Sequence, residues 1–95
     1  MIQNQVEHHV TQAYQALQQQ VAGFCGCELC RADVLVYALN RLPARYVASR
    51  EGTIITELDL DGNQMRARIE VVVLEGLRQV AAHRRCDGKG RSLTP

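Results

Sequence analysis

Four cysteines constrain this chain more than any other feature of its sequence. Three of them lie within six residues in the pattern C-x-C-x2-C, as Cys25, Cys27 and Cys30, and the fourth is Cys86. The first ten residues lack the basic and apolar regions of a signal peptide, so we expect a cytoplasmic protein, in which disulfides are rare. Thiols clustered in this way are typical of a metal site.

Zinc fits the cysteine pattern best. A structural zinc ion takes four donors at about 2.0–2.3 Å, and four thiolates supply them. Gly23 and Gly26 permit the tight backbone that neighbouring ligands require. We therefore predict a structural Zn²⁺ held by all four cysteines. An iron–sulfur cluster and metal-free thiols, including a redox pair, remain alternatives, and His83 competes with Cys86 as the fourth ligand or lies in the outer shell.

Such a site would matter for stability, because the chain has only 95 residues. A domain of this size buries about 60–65% of its unfolded surface. Structural zinc contributes apparent binding free energies of about 10–16 kcal/mol. We expect one domain over residues 1–86, followed by a flexible polar tail over residues 87–95.

Hydrophobic periodicity predicts three main helices and a mainly α fold. Apolar residues recur at steps of four and three from Ile2 to Val21, which indicates an amphipathic first helix. The second helix is predicted from Ala32 to Arg41, before a proline stops it. The third runs from about Gln64 to Arg85 and carries Cys86 near its end.

The third predicted helix is apolar on nearly all sides. Val71 and Leu74 lie outside its main apolar stripe, and Gly76 permits close approach by another helix. A helix of this kind is usually buried on two sides. In so small a chain the second side can belong to another subunit, which favours a homodimer. The alternative is a monomer whose last helix is partly exposed and apolar.

Residues 53–60 are ambiguous between strand and helix. Ile54, Leu58 and Leu60 fit a strand-like alternation of apolar and polar side chains. A hairpin with the following residues is one interpretation, and a helix capped by Asp61 with Gln64 as its capping-box partner is the other. We predict a short strand or hairpin before the last helix.

Composition and motifs argue against several functions. A formal net charge of +1 gives no broad basic field for DNA, and an aromatic content of 4% is low for stacking single-stranded nucleic acid. The longest aliphatic run, VVVL, is far too short to span a membrane. A closed zinc site leaves no position for a reactive water, and no catalytic constellation is evident, so we predict that the protein is not an enzyme.

A basic segment follows the second predicted helix. Its candidate ligand-binding residues are Asn40, Arg41, Arg45, Tyr46 and Arg50. Arginine matches phosphate oxygens and the edge of guanine, and tyrosine offers a stacking surface, so the segment suits a small anionic nucleotide. The alternative is that the arginines are solvated or paired with Asp33, Glu51 or Glu57.

The stretch "CGCELCRADVLVYALNRLPARYV" resembles the signature of the ComFB family of late competence development proteins, and "LEGLRQV" is similar to the family's last helix. The resemblance covers roughly residues 2–86, although Ala44 stands where many relatives carry a proline. It implies a small, mainly helical homodimer with a four-cysteine zinc set. It also implies a receptor for cyclic dinucleotides, chiefly cyclic di-GMP and in some cases cyclic di-AMP, acting on an unknown downstream protein. The alternative is a zinc-stabilised dimeric interaction module linked to competence that binds no small molecule.

Overall fold

The computed structural model describes residues 2–86, so the predicted tail over residues 87–95 lies outside it. The mainly α fold is confirmed, with four α-helices where the sequence predicts three main ones. The helices are α1 (Gln5–Leu17), α2 (Glu28–Arg41), α3 (Arg50–Leu60) and α4 (Asn63–Ala82), and a 3-10 turn (Gln18–Gln20) follows α1. No helix among the described residues is both long and apolar enough to cross a membrane.

A short two-stranded antiparallel sheet precedes the last helix, but not where the sequence alternation placed a strand. Strand β1 (Gln3–Asn4), at the start of the described chain, pairs with β2 (Tyr46–Val47), with Gln3 opposite Val47. The first helix therefore begins at Gln5 and not at Ile2. The pairing holds the segment between α2 and α3 against the beginning of α1.

The core lies among α1, α2 and α4. Val10, Val34, Ala38, Val73 and Leu77 are completely buried there. These residues come from all three helices, and each of them falls on an apolar stripe that hydrophobic periodicity reveals. The three helices thus form one shared core, with α3 added at its side.

Gly76 explains how closely α2 and α4 approach each other. A Cβ atom at this position would lie 3.0 Å from Cδ1 of Tyr37 on α2. That distance is closer than carbon atoms normally pack, so a larger residue here would force the Tyr37 ring to shift. The close approach expected of Gly76 is made by α2 of the same chain.

Helix α3 occupies residues 53–60, which the sequence left open between strand and helix. Ser49 caps the helix by accepting a hydrogen bond from the Gly52 backbone N–H at 3.0 Å. Ile54, Ile55 and Leu58 are 56%, 63% and 73% exposed. Because these three apolar side chains face outward, α3 has no continuous apolar stripe on the side that faces the core. Its sequence therefore lacks the clear helical period that such a stripe gives.

Three further helix boundaries differ from the predicted ones. Helix α1 ends at Leu17, where the 3-10 turn follows, and not at Val21. Helix α2 begins at Glu28, four residues before the predicted start at Ala32, because Cys27 caps it. Helix α4 ends at Ala82 and not at Arg85. Cys86 therefore lies beyond α4, in a short extended segment that returns to the cysteine-rich turn.

Candidate functional site

The four cysteines converge at one end of the molecule. Their sulfur atoms all lie within 4.8 Å of one another. The Sγ atom of Cys86 is 3.3 Å from that of Cys30 and 3.6 Å from that of Cys25. Four thiolates about 2.3 Å from one tetrahedral ion are about 3.8 Å apart. The cysteines are close enough together to hold a metal ion.

The backbone around the cluster is shaped by two glycines and one unusual helix cap. Gly23 and Gly26 have φ angles of +82° and +79°, a region that glycine adopts without strain. Cys27 is the N-cap of α2, and its sulfur accepts a hydrogen bond from the Cys30 backbone N–H at 3.4 Å. The helix start therefore fixes the spacing of Cys27 and Cys30 directly.

The environments of Cys27 and Cys30 differ. The hydrogen bond from the Cys30 backbone N–H lowers the pKa of the Cys27 thiol to about 7. Burial raises the pKa of the Cys30 thiol well above its ordinary value. A buried thiolate requires a compensating cation, and a metal ion bound by the cluster would supply it.

A salt bridge that sequence reasoning missed holds the fourth cysteine in place. Arg85, next to Cys86, donates two hydrogen bonds to the Asp33 carboxylate of α2, from Nε at 2.9 Å and from Nη2 at 2.6 Å. A bidentate pair restricts the orientation of both side chains. Local sequence patterns could not reveal this contact, because Asp33 and Arg85 are 52 positions apart. His83, the rival fourth ligand, is exposed at the end of α4, and the sulfur cluster is complete without it.

The five candidate ligand-binding residues are distributed over three elements. Asn40 and Arg41 belong to the last turn of α2, Arg45 and Tyr46 lead into and form β2, and Arg50 opens α3. The five residues are therefore spread over a helix end, a short strand and a helix start, and they do not lie in one loop.

Two of the three arginines already have partners within the protein. The guanidinium of Arg41 lies 3.5 Å from the centre of the Tyr37 ring and donates to the Tyr37 carbonyl at 3.0 Å. Arg45 pairs with Asp59 at 2.6 Å. Arg50 is exposed and has no ion pair among residues 2–86. Arg45 thus has a carboxylate partner, but that partner is Asp59 and not one of the three carboxylates that the sequence suggested.

Asn4 holds the basic segment to α1, and sequence reasoning did not single it out. Its Oδ1 atom accepts from the Val6 backbone N–H at 3.2 Å as the N-cap of α1, and from the Arg45 backbone N–H at 2.8 Å. The Gln5 N–H donates to the Arg45 carbonyl, also at 2.8 Å. Asparagine's preference for N-caps could have identified the first bond, but no local signal indicates the second.

Tyr46 is the single aromatic residue of this segment, and it is exposed. Its side chain is 68% exposed, while the next residue, Val47, is buried. The alternation follows from the strand geometry of β2, which turns successive side chains to opposite faces. The phenol ring therefore faces solvent, while the buried side chain of Val47 holds the opposite face of the strand against the protein.

Comparison with known proteins agrees with the observed architecture. The family model described as "Late competence development protein ComFB" matches residues 3–84. The solved structure of the late competence protein ComFB from Bacillus subtilis aligns with a TM-score of 0.78 and 24% sequence identity, covering 92% of this chain and 94% of that one. At this identity the structural likeness shows a shared fold. No curated protein sequence gives a significant match. Because the family match extends over nearly all of the described residues, this chain belongs to the ComFB family of late competence development proteins.

Proposed function

We propose that the protein is a non-enzymatic receptor for a cyclic dinucleotide, with cyclic di-GMP as the first candidate, and that a structural Zn²⁺ held by the four cysteines stabilises its fold. The observation that carries the receptor proposal is the exposed pair of Tyr46 and Arg50 at the junction of β2 and α3. The resemblance of the Cys25–Val47 segment to the ComFB signature directs attention to this junction.

The position of Arg50 supports an anionic ligand. Arg50 is the first residue of α3, where the helix dipole is positive, and a cation there costs about 0.3–1 kcal/mol at low ionic strength. A phosphate bound at this helix end would turn that unfavourable contact into a favourable one. The exposed ring of Tyr46 offers a face on which a guanine can stack.

Arg45 has a different role in this proposal. Because it pairs with Asp59 at 2.6 Å, it must give up that contact in order to bind phosphate. Its backbone is fixed by Asn4 and by Gln5, so the residue positions Tyr46 in either case. We therefore expect Arg50 and Tyr46 to contribute more to ligand affinity than Arg45.

Isothermal titration calorimetry with cyclic di-GMP tests the receptor. The Arg45→Ala, Arg50→Ala double variant is expected to lose affinity by a factor of ten or more, since charge-assisted hydrogen bonds contribute about 1.5–3 kcal/mol each. Arg78→Ala, which removes an exposed arginine of α4, is the matched control and is expected to bind normally. Undiminished affinity in the double variant would exclude this site.

The four-cysteine cluster supports a structural role for the metal. Four thiolates close the coordination shell of zinc, which leaves no position for a reactive water molecule. We infer that the ion connects the turn before α2 to the segment after α4, in a cytoplasmic protein of competence-related function. Elemental analysis of gently purified protein is expected to give one zinc ion per chain, and none would contradict this assignment.

One observation favours a second candidate, a zinc-stabilised dimeric interaction module without a small-molecule ligand. The outward face of α3 presents Ile54, Ile55 and Leu58, and Val71 of α4 is 55% exposed. Exposed apolar residues on a surface helix are suited to contact with another protein or another subunit.

A thermal-shift panel with cyclic di-GMP, cyclic di-AMP, GTP and duplex DNA separates the two candidates. A ligand that binds only the folded state raises the melting temperature. A shift with a cyclic dinucleotide supports the receptor. No shift with any of the four compounds, together with a concentration-dependent dimer in analytical ultracentrifugation, supports the interaction module.

A further inference from the structure

We propose a second metal site, separate from the cysteine cluster, in which His9, Glu57 and Asp61 bind a divalent first-row transition-metal ion. His9 belongs to α1, Glu57 to α3, and Asp61 is the C-cap residue of α3. Their ligand atoms all lie within 4.8 Å of one another. The site would join α1 to the end of α3 as the cysteine cluster joins α2 to the segment after α4.

The histidine and the glutamate already have the spacing of two ligands on one ion. Nε2 of His9 lies 2.9 Å from Oε1 and 3.0 Å from Oε2 of Glu57. Two ligands each about 2.1 Å from the same ion, at right angles, are about 3 Å apart. In the absence of metal the His9 Nε2–H donates to the carboxylate. A metal ion would take the place of that proton.

The burial of His9 favours a fixed ligand. Its side chain is only 9% exposed, and it packs between α1 and α3. A buried imidazole directed at a carboxylate loses little conformational freedom when it binds an ion. The imidazole of His9 is therefore already held in place before an ion binds.

The two carboxylates at this site favour a cation. The Asp61 carboxylate has no hydrogen-bond or ion-pair partner in the part of the chain that the structure describes, although Glu57 lies beside it. Glu57 and Asp61 bring two carboxylates close together, and like charges repel each other. A divalent ion would balance both charges.

The proposed site of His9, Glu57 and Asp61 opens into a cleft between α1 and α4. The cleft has a volume of about 430 Å³ and is lined by His9 and Asp61 together with Arg66 and Glu70 of α4. Three protein ligands leave coordination positions for water or for a small ligand in this space. One imidazole with two carboxylates suits Mn²⁺, Fe²⁺, Co²⁺ or Zn²⁺ better than Ca²⁺, which prefers oxygen ligands alone.

Manganese is the probe that separates this site from the cysteines. Carboxylate and water ligands suit Mn²⁺, whereas thiolates select zinc, so Mn²⁺ leaves a zinc-filled cysteine cluster intact. Electron paramagnetic resonance measures free Mn²⁺ during titration of the full chain, and zinc content is checked before and after. We expect one bound Mn²⁺ per chain.

Three variants complete the experiment. Asp61→Asn and Glu57→Gln are expected to weaken Mn²⁺ binding about ten-fold or more, by analogy with the loss when groups supporting a metal site are removed. Asp61→Asn leaves the contact between His9 and Glu57 in place, so folding is preserved, and circular dichroism verifies this. Asp59→Asn, which removes a neighbouring carboxylate of α3, is the matched control and is expected to bind normally.

The outcomes are decisive in both directions. Loss of binding in Asp61→Asn and Glu57→Gln, with normal binding in Asp59→Asn, supports the site. Absence of Mn²⁺ binding by the unmodified protein overturns the proposal, and so does equal binding by Asp61→Asn and the unmodified protein. An equal loss in Asp59→Asn overturns it as well, because it would show a diffuse attraction of cations to α3.

Discussion

The cysteine cluster and the junction of β2 with α3 differ in how strongly the fold determines them. At the cluster, Cys30 and Cys86 are buried and their sulfurs lie 3.3 Å apart, although 56 residues separate them. At the junction, Tyr46 is 68% exposed and Arg50 has no ion pair within the described chain. The first region is held by contacts between distant parts of the chain, and the second leaves its polar groups available to a ligand.

The largest effect is expected for Cys86→Ser, which removes one ligand of the cluster. If zinc is bound there, losing a quarter of its contribution, about 3 kcal/mol, lowers the melting temperature by roughly 12–24 °C for a domain of this size. Differential scanning calorimetry and elemental analysis measure both consequences. Tyr46→Ala is the control and is expected to melt normally. An unchanged melting temperature in Cys86→Ser would show that the cysteine cluster contributes no more to stability than the junction does.

Asn4→Ala is expected to have the next largest effect. The variant loses the N-cap of α1 and the acceptor for the Arg45 N–H, which costs about 1–2 kcal/mol in the free energy of unfolding. Urea denaturation measures this loss. Asn4→Asp keeps an acceptor oxygen and is expected to retain most of the stability, so an equal loss in both variants would show that the hydrogen bonds are not responsible.

Asp33→Ala is expected to affect metal retention more than stability. The Asp33–Arg85 pair is partly exposed, with side chains 24% and 50% accessible, so its loss costs at most about 1 kcal/mol. Without the ion pair between Asp33 and Arg85, the segment that carries Cys86 is held less firmly. We therefore expect zinc to transfer to a chelator about ten-fold faster. A colorimetric chelator assay measures the rate.

Asp59→Ala is the matched control for that experiment. It breaks an ion pair of similar exposure, between Asp59 and Arg45, away from the cysteines. Zinc release at the normal rate in Asp59→Ala and at an increased rate in Asp33→Ala would assign the effect to the Asp33–Arg85 pair. Equal rates in the two variants would contradict that assignment.

The smallest change in stability is expected for Arg50→Ala. Removing a cation from the positive end of α3 is neutral or slightly stabilising, by up to about 0.5 kcal/mol, in the absence of ligand. The same variant is expected to lose the rise in melting temperature caused by cyclic di-GMP. Thermal shift with and without the nucleotide measures both effects, and destabilisation without ligand would show that Arg50 serves the fold.

The sequence predicts the cysteine-rich end of the molecule better than the rest. Cysteine type and spacing indicated the set of four before any contact was known, and periodicity indicated α1, α2 and α4, whose inner faces are apolar. The start of α2 was missed by four residues because its cap is the sulfur of Cys27, which cap preferences do not include.

Helix α3 could not be predicted reliably for a physical reason. Only Thr56 and Leu60 are buried on its inner side, while Ile54, Ile55 and Leu58 face outward. Periodicity detects a helix through the stripe it turns toward the core, and here that stripe is absent. The long-range bonds of Asn4 and Asp33 were out of reach for another reason: their partners are 41 and 52 residues away, and nothing local marks them.

The distance along the chain between Cys30 and Cys86 also orders events during synthesis. Domains fold as the polypeptide emerges from the ribosome, beginning with the part made first. Cys25, Cys27 and Cys30 are synthesised first, and Cys86 follows 56 positions after Cys30. If the first three thiols bound an ion before Cys86 was made, that ion would have an open coordination position. It could then exchange with other ligands until Cys86 completed the set.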